Sequence, residues 1–76
     1  MTDYKDDAIM VILLRKRRPM SAKKITEILN QEGTEISRPT VARRLAKLKE
    51  DGWVVGSARA YRINPKRMPD KFKKFF

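Results

Sequence analysis

The sequence predicts a mainly α domain with a small β-hairpin: three helices, the hairpin, then a short basic C-terminal helix or tail. Three observations lead there. Apolar residues recur at helical spacing in three separate stretches ahead of residue 52, each followed by a stop signal. Serines stand at the head of the second and third stretches, where a hydroxyl caps free backbone amides. Two short segments rich in Val, Trp, Tyr and Ile then flank a glycine-containing turn.

The first helix is expected over about Asp3 to Lys16. Asp3, Asp6 and Asp7 lie in its first turn and Arg15 to Arg18 at its end, as the helix dipole favours. Tyr4, Ala8, Val11 and Ile12 recur at helical spacing, as do Ile9 and Leu13, and Pro19 stops the run. The second helix begins with Ser21 as N-cap. Met20 and Ile25 are spaced as a hydrophobic staple, and Ile25, Ile28 and Leu29 supply the buried stripe. Asn30 to Thr34, with Gly33, ends it. The third helix, Ser37 to Asp51, repeats this pattern. Ser37 caps it, Ile36 and Val41 form the staple, and Pro39 sits in the first turn, where proline is tolerated. Val41, Leu45 and Leu48 make its core face, and Gly52 suits a left-handed residue after its end. Trp53 to Val55 and Ala60 to Ile63 read as strands around a turn at Gly56 to Arg59, with Tyr61 and Ile63 on one face and Arg62 on the other. Trp53 and Tyr61 are expected to pack in the core. Residues 1–65 form the expected domain and 66–76 a basic extension. In that extension Phe72, Phe75 and Phe76, at helical spacing, either pack on the first helix or form a dimer seam.

Composition narrows the function. The chain has 76 residues and a formal net charge of +10, with a pI near 10.4. A domain this small buries only about 60% of the surface of its unfolded chain, which leaves little room for a deep pocket. The absence of cysteine removes disulfides and thiolate metal sites; the absence of histidine removes the commonest general base and zinc ligand. No phosphate-binding glycine loop or paired carboxylates stand in for them, so neither an enzyme, a cofactor, a metal nor a small-molecule ligand is expected. The positive charge points to a polyanion. The longest apolar run, Ala8 to Leu14, is too short to span a bilayer, and it follows an acidic start unlike that of a signal peptide. A cytoplasmic, nucleoid-associated protein is the expectation.

The third helix carries the strongest functional signal. With its core face centred on Val41, Leu45 and Leu48, a rotation of about 100° per residue points Arg43 away from the core. Thr40 and Lys47 flank Arg43, and Arg38 and Arg44 lie nearer the edges. A helix fits the B-DNA major groove, where Arg reads guanine O6 and N7 and the Thr methyl meets a thymine methyl. Lys47 and Lys49, further along, suit phosphates.

The stretch Ser37-Arg38-Pro39-Thr40-Val41-Ala42-Arg43-Arg44-Leu45-Ala46-Lys47-Leu48-Lys49-Glu50-Asp51-Gly52-Trp53-Val54 resembles the recognition helix and start of the wing in winged helix-turn-helix proteins. Residues Ser21 to Leu29 resemble the helix that precedes it, and the likeness runs from Ile9 to about Asn64. The resemblance implies a DNA-binding transcription regulator in which Arg38, Pro39, Thr40, Arg43 and Arg44 face the groove. It also implies that Ser57 and Arg59 of the wing reach flanking phosphates or the minor groove. The wing turn is short, and Ala42 and Ala46 stand where the Z-DNA-binding branch of this fold has Asn and Tyr. Arg62 on the second strand and Lys23 in the second helix extend the expected contact set, and the backbone amides of Ser21 and Ser37 suit phosphates at helix N-termini. Double-stranded DNA is thus the expected partner, with a second copy of the chain as a further one. Structured RNA is the alternative, because the same charge and fold serve ribosome-associated modules. A protein-docking module or a basic membrane-surface peptide is a third reading, and the tail is the one candidate for the membrane version.

Overall fold

A computed structural model describes residues 4–57 and 59–67. The chain runs α1 (Tyr4–Lys16), α2 (Ala22–Gln31), α3 (Arg38–Glu50), β1 (Val54–Ser57) and β2 (Ala60–Ile63). This is the expected class, three helices and one antiparallel hairpin. Asp3, Ala58 and the Phe72, Phe75 and Phe76 stripe lie outside the described residues.

The three helices share one core. Ile9 and Met10 from α1, Ile25 from α2, and Val41 and Leu45 from α3 have no accessible surface. Each such side chain contributes roughly 1.5–3 kcal/mol by leaving water. Val54 and Tyr61 close this core from the hairpin. The buried arc of α1 is wider than the sequence suggests. It takes in Ile9, Met10, Ile12, Leu13 and Leu14, while Tyr4 is exposed and Ala8 and Val11 are half-buried. The reason is that α1 packs against α2, α3 and β2 together.

Both serine caps form. The Ser21 hydroxyl accepts from the Lys24 amide at 3.1 Å and the Ser37 hydroxyl accepts from the Thr40 amide at 3.4 Å. Helices α2 and α3 also end alike. In α2 the Thr34 amide donates to the Leu29 carbonyl and the Gly33 amide to Asn30; in α3 the Trp53 amide donates to Leu48 and the Gly52 amide to Lys49. Each pair of bonds satisfies carbonyls that a helix end leaves free, and it needs a left-handed residue, which Gly52 supplies at φ +87°. Helix α1 ends differently. Arg17 itself turns left-handed, at φ +51°, and donates its amide to the Leu13 carbonyl.

The hairpin departs from the expected boundaries. Trp53 precedes β1 because its amide is committed to the end of α3, and the strand runs on through Gly56 and Ser57. Val54 pairs with Ile63, Gly56 with Tyr61 and Ser57 with Ala60. A Cβ at Gly56 would meet the Ala60 carbonyl oxygen at 2.1 Å, so the strand crosses there only as glycine. On the far side of β2, Met20 and Tyr61 exchange two backbone hydrogen bonds of 2.8 Å. This one-residue bridge, which no pattern in the sequence announces, ties the α1–α2 connection to the sheet.

Candidate nucleic-acid interface

The face of α3 opposite its core is presented to solvent. Arg38, Pro39, Ala42, Arg43, Ala46 and Lys47 are exposed, while Val41, Leu45 and Leu48 are buried. Thr40, Arg43, Arg44 and Lys47 lie at i, i+3, i+4 and i+7 and together line a recess of about 200 Å³. Ser37 joins them through a 2.9 Å hydrogen bond between its hydroxyl and that of Thr40. The site therefore begins at a helix N-terminus, where the partial positive charge of free amides adds to that of the cations.

Arg44 differs from its neighbours. Its guanidinium lies 3.6 Å from the carboxylate of Asp6, which α1 delivers with only 4% of its side chain exposed. Arg44 thus lines the recess and is also held from behind by the first helix. The sequence places Asp6 as compensation for the dipole of α1. The structure makes it a link between α1 and α3, and only the packing of the two helices could have revealed that.

The turn between α2 and α3 is held by Asn30. Its side-chain amide donates to the carbonyls of Thr26 and Ile36, at 2.8 and 2.9 Å, and its oxygen accepts from the Ile36 amide at 3.4 Å. These bonds set the chain one residue ahead of the Ser37 cap. Asn64 plays the matching part at the other end of α3, donating to the Gly52 carbonyl at 2.9 Å. Arg67 stacks 4.6 Å over the Trp53 ring, within cation–π range. Trp53 is accordingly half-buried, packed against the core beneath the chain that follows the hairpin.

The other expected contacts are not gathered into this recess. Ser21 and Lys23 stand at the N-terminus of α2, half-buried and exposed respectively. Ser57 and Arg59 are exposed at the hairpin tip. Arg62, also exposed, lines a separate groove with the end of α1. Among the described residues, no group of His, Cys, Asp or Glu is arranged to hold a metal ion. No helix among them is long and apolar enough to cross a membrane.

The family model of the ribonuclease R winged-helix domain matches residues 7–71. Searches of curated proteins and of solved structures return no match. The matched span takes in most of α1, all of α2 and α3, and the hairpin. The chain therefore belongs to the ribonuclease R winged-helix domain family, a nucleic-acid-binding fold.

Proposed function

We propose that the chain is a sequence-specific double-stranded DNA-binding protein acting as a transcription regulator, with α3 in the major groove and the 54–63 hairpin as its wing. One observation carries this reading. Thr40, Arg43, Arg44 and Lys47 form a single cationic recess on the solvent face of a helix whose opposite face is buried in the core. The B-DNA major groove is wide enough for such a helix, whereas the A-form RNA major groove is too deep and narrow for it. In this reading Arg43 and Thr40 meet base edges. Lys47, Lys23 and the amides at Ser21 and Ser37 meet phosphates, and Ser57, Arg59 and Arg62 contact the flanking backbone.

The family match favours a second reading, structured RNA, since the matched domain is that of a ribonuclease. A fluorescence-anisotropy competition between a labelled random-sequence duplex and an RNA hairpin of equal charge separates the two. Tighter binding to the duplex, weakening steeply as salt rises, is the expected result. Preference for the hairpin moves the chain to the RNA class, and binding to neither sinks both readings.

A further inference from the structure

A second cationic groove, of about 270 Å³, lies between the end of α1 and β2 and shares no lining residue with the α3 recess. Its apolar lining comes from Leu13, Leu14 and Ile63, with Pro19 and Pro65 beside them. Three exposed arginines, Arg17, Arg18 and Arg62, complete it, and none of its lining residues is acidic. The groove is preformed. Met20 and Tyr61, each adjacent to a lining residue, hold its two sides together through their pair of 2.8 Å backbone bonds. Arg17 takes the chain out of α1 at this rim in a left-handed conformation.

We propose that this groove is a second nucleic-acid site, taking a single-stranded extension of the duplex bound at α3. An unpaired base has an apolar face that suits the leucine, isoleucine and proline lining. Guanidiniums stack on such bases and neutralise the phosphates between them. A paired base offers no free face, so the groove selects the single strand. Three arginines with no acidic residue in the lining suit a polyanion. The proposal rests on the reading of α3 as a nucleic-acid surface.

The test compares a blunt duplex, the same duplex with a short oligothymidine overhang, and the free oligothymidine, all by anisotropy with the full chain. The overhang is expected to tighten binding several-fold. Arg17→Asn combined with Arg18→Ala should abolish that gain and leave blunt-duplex affinity unchanged. Asparagine tolerates the left-handed backbone, so the fold survives, and Arg18→Glu alone gives an independent loss. No gain from the overhang, or a gain that persists in both variants, overturns the proposal. So does a gain that emerges only when Phe72, Phe75 and Phe76 are replaced by alanine, because the tail would then own the groove. Binding of the free strand without the blunt duplex rejects the α3 reading and keeps the groove. Duplex binding without an overhang gain does the reverse.

Discussion

Arg17 and Gly56 show opposite solutions to one backbone problem. Arg17 holds φ +51° with a side chain, while Gly56 holds φ +108° without one. Arg17→Gly is therefore expected to stabilise the fold by about 1 kcal/mol, read as a higher melting temperature, and an unchanged or lower value would show that the arginine side chain outweighs its strain. Gly56→Ala is expected to lower the melting temperature, because its Cβ would meet the Ala60 carbonyl at 2.1 Å inside a paired strand. On α3, Arg43 and Lys47 stand one turn apart and are assigned different tasks. Arg43→Ala should cost about 1–3 kcal/mol on the preferred sequence and relax selectivity there. Lys47→Ala should weaken every sequence alike and reduce the slope of log affinity against log salt by about 1. Titrating a selected and a scrambled duplex at two salt concentrations distinguishes these outcomes, and equal weakening by Arg43→Ala would make that residue a phosphate contact.

At the scale of elements, α3 is fixed at both ends and from behind. Asn30 secures its approach, Asn64 its exit, and Asp6 its Arg44 edge. Asp6→Ala removes a nearly fully buried carboxylate from a partner that is one-third exposed, so a loss of about 1–3 kcal/mol is expected rather than the larger cost of a wholly buried pair. A double-mutant cycle with Arg44→Ala measures the coupling, and additive losses would dismiss the link. These elements were legible in the sequence to different depths. The caps Ser21 and Ser37, the stripes of α2 and α3 and the role of Gly52 follow from local spacing, and all appear as expected. Asp6 and Asn30 were illegible because their partners come from other elements. An acid in a first turn and an asparagine near a helix end each have an ordinary local explanation. The first strand extends past its expected end for a similar reason: Gly56 resembles a turn residue until its pairing with Tyr61 is known.

At the scale of the whole molecule, a net charge of +10 makes binding sensitive to ions wherever the contacts lie. Log affinity should fall linearly with log salt, by about 0.9 for each phosphate neutralised on B-DNA. The exposed α3 face was readable from the helical wheel, since one core stripe fixes the opposite side. The groove beside α1 was not, because Arg17, Arg18 and Arg62 meet only when β2 docks. That docking passes through the two amides shared by Met20 and Tyr61, which belong to segments far apart in the chain. Neither amide lies within a helix, and both become free when the hairpin lifts. Their deuterium uptake under native conditions should therefore rise together, as a paired clock for wing opening, and bound nucleic acid that spans hairpin and helix should slow both by the same factor.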